Sequence, residues 1–155
     1  ERLMMARDPD DIRNWQRRLD GITTSGKLEA HDPARLAAIG VRHVVNLALA
    51  GHPEALADEA ALLADEGIAY THIPVPFDAP TPAHVAALAE ALAAHPGPHH
   101  VHCIMNWRVT AFLYLLDRAA GVPEPEARAR MAKVWNPLED AQAPPVWRAL
   151  LKGEG

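Results

Sequence analysis

Apolar residues along this chain follow two rhythms that take turns. Short apolar runs at His43 to Leu47 and His99 to His102 read as buried strands, and Tyr70 to Val75 reads as a third that Pro74 and Pro76 break. Ile22 to Thr24 is a candidate edge strand. Between these runs apolar positions recur at helical spacing. Leu56, Ala60 and Leu63 share one face after Pro53, and Gly67 stops that helix. Asp32 and Pro33 form an N-cap and first-turn pair for a shorter helix that Gly40 ends. Thr81 and Pro82 start another, with Val85, Leu88 and Leu92 on one side. Val109, Phe112, Leu113 and Leu116 mark a buried helix ending near Gly121, and 124–134 and 146–152 read as two closing helices. Strands alternating with helices predict an α/β fold, three layers α/β/α around a mainly parallel sheet of four to five strands.

Size and charge narrow the function classes. A chain of 155 residues, 49% of them hydrophobic, is one domain (1–155) with a proper core and is not globally disordered. A net charge of −5, with no Lys/Arg run, argues against a nucleic-acid partner. No apolar run approaches the roughly 20 residues that span a bilayer. One cysteine makes no internal disulfide, so nothing requires an oxidising compartment and the expected location is the cytoplasm. A targeting segment cleaved ahead of Glu1 would leave no trace.

That cysteine lies in HCIMNWRVT, 102–110, between the last strand and the buried helix. Ligands of open α/β sheets bind beyond the carboxyl ends of the strands. A thiol at a strand-to-helix turn meets backbone N–H groups and the positive end of the helix dipole, which favour the thiolate. Arg108 adds a planar, permanent charge that fits a tetrahedral oxyanion. A buried structural thiol is the plain alternative for a lone cysteine; His102 before it and Arg108 after it weigh against that.

At these residues the chain resembles the protein tyrosine/dual-specificity phosphatase superfamily. More closely it resembles the small bacterial phosphatase-like domains that also occur beside β-lactamase-like hydrolase domains. The likeness runs from about Asn14 to Trp147 and includes the Thr24-Ser25-Gly26 turn, GVRHVVNL, DEGIAYTHIPV and the VHC–R–T element. It implies a cysteine-phosphatase-like fold, Cys103 as the nucleophile that forms a phospho-cysteine, and Arg108 as the grip on the phosphoryl oxygens. It further implies Asp78, in IPVPFDAP, as the acid that protonates the leaving oxygen. The segment Ile104, Met105, Asn106, Trp107 and Val109 would bind the substrate, with His102 and Thr110 in support: the histidine on the loop backbone, the hydroxyl near the thiolate. The implied partners are a phosphorylated protein or small molecule and a phosphate or sulfate ion in the loop. No cofactor and no metal is called for, because arginine and amides neutralise the charge that develops.

Asp78 makes sense without the resemblance. Pro76, Pro80 and Pro82 stiffen a loop that leaves a strand end on the same side as Cys103, and a carboxyl held there serves as general acid if it reaches the leaving group. Such a residue is otherwise a solvated turn aspartate.

The chain departs from the phosphatase pattern in one respect. That pattern has five residues between cysteine and arginine, with glycines; here there are four and none is glycine. Asn106 is expected to take a left-handed conformation in place of glycine. Four residues is the spacing of rhodanese-like sulfurtransferases, whose cysteine carries a persulfide. His102, the IPV…D segment and Thr110 favour the phosphatase; sulfur transfer, or a non-catalytic anion-binding module, is the alternative.

The remaining features carry less. His100 and His102 fall on one strand face and could share an ion, but no carboxylate or second cysteine stands at matching spacing. Trp107 reads either as a pocket wall or as buried beneath the loop. Trp135 and Trp147 read as packing anchors, Arg42 and Lys27 as surface charge.

Overall fold

The computed structural model describes residues 6–153. Five strands form one sheet: β1 (Gln16–Arg17), β2 (Thr23–Ser25), β3 (His43–Asn46), β4 (Ala69–His72) and β5 (His99–His102). Their spatial order is β1-β2-β5-β3-β4, antiparallel at β1–β2 and parallel elsewhere. Six helices accompany them: α1 (Asp32–Ala38), α2 (Glu59–Asp65), α3 (Pro82–Ala94), α4 (Trp107–Ala119), α5 (Glu124–Ala132) and α6 (Pro145–Leu151).

Side-chain alternation in β3 builds a core on each face of the sheet. Val44 packs with Leu36 of α1 and Leu63 of α2. Val45, beside Val101 of β5, packs with Leu88 of α3, Phe112 of α4, Met131 of α5 and Leu151 of α6. This is the expected three-layer arrangement. The same alternation turns His100 and His102 toward the thinner α1–α2 layer, beside Val44 and Asn46. All parallel strands end on one side, so Gly26, Leu47, Ile73 and Cys103 leave the sheet together.

Several expectations shift at element ends. The β2 strand lies inside the sheet and not at its edge, because β1 pairs outside it. Two residues carry no alternation to read; β1 exists through a hairpin in which Arg18 N–H donates to Ile22 O at 2.9 Å. The N-cap of α1 is His31, and Asp32 is already helical. Its carboxylate instead accepts from Glu29 N–H at 2.7 Å and from Arg35 at 2.9 Å. Residues 50–58 form successive turns, so α2 begins after Leu56. Thr81 caps α3 as expected, in a reciprocal box where His84 takes the place usual for Glu or Gln.

Candidate active site

Cys103 follows β5 directly, and the segment to Trp107 wraps around the start of α4. The carbonyls of this loop are held from outside. Lys27 N–H donates to Ile104 O at 2.9 Å and Arg13 Nη1 to the same oxygen at 3.4 Å. Asn14 Nδ2 donates to Met105 O at 2.9 Å. Gly26 permits this docking, since a Cβ there would collide with Ile104 O. With the carbonyls drawn outward, the amides of Ile104 through Val109 find no acceptor among the described residues. These amides and the N-terminus of α4 make an anion cradle.

Asn106 closes the turn at φ +67°, ψ +6°, the left-handed conformation expected of it. Its Nδ2 donates to Asn14 O at 2.8 Å and to Thr24 Oγ1 at 2.9 Å, so the side chain points away from the cradle. Thr110 Oγ1 donates to Asn106 O at 3.0 Å and makes no hydrogen bond to Cys103, in contrast to the hydroxyl expected beside the thiolate. Val109 is fully buried in the α3–α6 core. From Val109, therefore, only the backbone N–H is open to a ligand; Asn106 adds its own N–H and a buried Oδ1 that has no partner.

A cavity of about 250 Å3 opens over the loop, lined by Cys103, Ile104, Met105, Trp107 and Arg108, with Leu49, His52 and Phe77 opposite. Cys103 forms its buried floor. Arg108, 7% exposed, donates from Nη1 to Val75 O at 2.8 Å and lies 5.9 Å from the Phe77 ring centre. Its Nε is buried and has no acceptor. Trp107 is half-buried and stacks on Trp135 at 5.0 Å, which makes it a wall of the cavity. Asp78 is exposed, follows the lining residue Phe77, and is not itself among the lining side chains. A larger cavity of about 440 Å3 between the β1–β2 hairpin and α4–α5 contains neither Cys103 nor Arg108.

Two residues of this region have no counterpart in the sequence expectations. His52 lines the cavity, and its Nδ1 accepts from Glu54 N–H at 2.9 Å, which leaves Nε2 as the donor of the neutral ring. Glu59, 6% exposed at the start of α2, accepts from His102 Nε2 at 2.5 Å. Nothing in the local sequence DEAAL distinguishes this glutamate from its solvent-facing neighbours. His102 Nδ1 faces Cys103 O at 3.4 Å, the backbone contact expected of it. Its neighbour His100 is enclosed by Thr23 and Ser25, both at 2.8 Å. Burial first, and the charge of His102 second, push the pKa of His100 well below the ordinary histidine value. No group of three or more His, Cys, Asp or Glu converges on a metal-sized point among the described residues.

No protein-family model matches the chain. A curated relative, the uracil-DNA glycosylase of Leuconostoc mesenteroides, is 33% identical over 67 residues, 43% of this chain and 30% of the glycosylase. The chain thus spans under a third of that relative's length. Among solved structures, TpbA of P. aeruginosa in complex with pTyr shares the fold at 20% identity, with a TM-score of 0.67 over 91% of this chain and 84% of that one. A presumptive phosphatase (DUF442) of Shewanella putrefaciens CN-32 matches at 30% identity, with a TM-score of 0.81 over 94% of this chain and 93% of that one. With both chains covered nearly end to end at that identity, this chain belongs to the DUF442 group within the protein tyrosine/dual-specificity phosphatase superfamily.

Proposed function

We propose that this chain is a cysteine-dependent phosphatase that hydrolyses phosphomonoesters through a phospho-cysteine intermediate. The observation that carries the reading is Arg108, whose buried Nε lacks an acceptor beside a buried thiol and a run of unpaired amides. Buried donors are nearly always satisfied, and a dianion with three terminal oxygens satisfies several of these at once. The Cys103 sulfur attacks phosphorus in line; the S–P bond forms as the bond to the leaving oxygen breaks. Arg108 and the loop amides hold the equatorial oxygens. Asp78 gives its proton to the departing oxygen, then takes one from the water that cleaves the S–P bond. Leu49, Met105, Phe77 and Trp107 fit an apolar or aromatic alcohol, so an aryl phosphate such as phosphotyrosine is the proposed substrate class; TpbA binds pTyr.

The four-residue loop and the absence of Asp78 from the cavity lining favour a second reading, sulfur transfer through a Cys103 persulfide. Hydrolysis of p-nitrophenyl phosphate separates the two. Turnover is expected in the wild type, abolished in Cys103→Ser and reduced about 10²- to 10³-fold in Asp78→Asn. A folded wild type that leaves the ester intact and transfers sulfur from thiosulfate, with Asp78→Asn equally active, would overturn the phosphatase reading.

A further inference from the structure

A buried acid stands behind the nucleophile. Glu59 and His102 are both almost fully enclosed, and their side chains meet at 2.5 Å. The other ring nitrogen of His102 faces Cys103 O at 3.4 Å. A neutral imidazole carries one proton, yet here both ring nitrogens face oxygen atoms. The carboxylate has a second donor besides the histidine. Asn46 Nδ2 donates to Glu59 Oε1 at 3.1 Å and to Tyr70 Oη at the same distance. Asn46 cannot turn over without loss, since its Oδ1 accepts from Ala48 N–H at 2.8 Å. The charged and titratable groups around the pair are few. His100 stacks beside His102 from β5, 6.2 Å between ring centres. Tyr70 reaches in from β4, and Lys27 and Glu54, joined at 3.6 Å, stand at the outer side of the same crevice. None of these gives His102 a second carboxylate in hydrogen-bond contact.

We propose that Glu59 is a positioning residue for the nucleophile: it holds His102 as an imidazolium behind the loop, and that fixed positive charge favours the Cys103 thiolate. The inference rests on Cys103 being the nucleophile, but not on which group it attacks. A nearby imidazolium makes a thiol more reactive at neutral pH, and the His102 ring reaches the backbone of Cys103. Glu59 acts through His102 and touches no substrate, as it does not line the cavity over Cys103.

The chain has a single cysteine, so alkylation by iodoacetamide reports on Cys103 alone and needs no substrate. At about pH 6, Glu59→Gln is expected to react roughly tenfold more slowly than wild type, and at about pH 9.5 at the same rate. Glu59→Asp, which keeps the charge, is expected to recover most of the low-pH rate. In parallel, the assigned ring-nitrogen NMR signals of His102 in the wild type are expected to show both nitrogens protonated at pH 7. Equal alkylation at pH 6 in folded Glu59→Gln, or a neutral His102 ring in the wild type, would overturn the proposal. Both readouts hold whatever reaction the protein catalyses. Loss of the alkylation effect therefore refutes the role of Glu59, while loss of phosphate-ester turnover alone refutes the phosphatase reading.

Discussion

Asn106 bears two burdens at one position. Its backbone takes the left-handed turn that ends the loop, and its amide ties that turn to Asn14 O and Thr24 Oγ1. An ordinary side chain in this conformation costs about 1 kcal/mol or more, and each buried hydrogen bond contributes about 1 kcal/mol. Asn106→Ala is therefore expected to lower unfolding stability by about 2–4 kcal/mol in urea. Asn106→Gly, free of the backbone cost, should lose about 1 kcal/mol less. Equal losses would show that the backbone term is absent. The conformation was legible from residue type, since asparagine tolerates left-handed φ. Its partners were not: they lie 92 and 82 residues away, and no local pattern encodes a contact of that range.

The loop that carries Asp78 is held by two distant donors, both just ahead of the aspartate. Arg108 Nη1 holds Val75 O, and the indole N–H of Trp147 donates to Phe77 O at 2.7 Å. Trp147 is wholly buried and its ring centre lies 5.7 Å from that of Phe77. Trp147→Phe leaves the carbonyl unpaired and opens a small void, a cost of about 2–4 kcal/mol. If the loop positions the acid, turnover of aryl phosphates should fall several-fold while iodoacetamide alkylation of Cys103 stays unchanged. An equal fall in both would mean that the substitution disturbs the cradle itself. The same contrast explains what the sequence disclosed. Element order followed from local periodicity, so the strand before Cys103 and the helix after it stood where expected. Cys103, Arg108 and the Asp78 loop were visible as a cluster of chemistry at one sheet end. Glu59 and His52 were not: Glu59 owes its role to a partner 43 residues away, and His52 lies in a run of turns that carries no periodicity. Thr110 shows what spacing leaves out: it placed a hydroxyl after the cysteine but not the bond that hydroxyl makes to Asn106 O.

Across the whole molecule, burial lowers the pKa of His43, His99 and His100. Burial, and then the charges of His95 and His99, push His43 down to about 4, where Nδ1 meets His99 at 3.0 Å and Nε2 meets Thr71 at 2.8 Å. His99 is lowered by burial first and the charge of His95 second, with Asp20 opposing, and His100 lies well below the ordinary value. Each of these groups binds its proton more tightly when the chain unfolds. The stability they contribute is thus complete above about pH 6.5, the unfolded value, and is lost as pH falls toward 4. Carboxylates titrate lower. Asp8 and Glu54, held down by Arg17 and Arg13, begin to lose their contribution as pH falls through the ordinary carboxylate value and lose the rest below it, so their window adjoins the acid end of the histidines'. Urea unfolding free energy should decline steadily between pH 6.5 and 4, with His43 alone accounting for on the order of 2–3 kcal/mol. His43→Gln should lower stability at pH 7.5 and flatten the decline. A slope unchanged by that substitution would mean that His43 keeps its ordinary titration in the folded chain and that His100 and His99 carry the acid sensitivity of the fold.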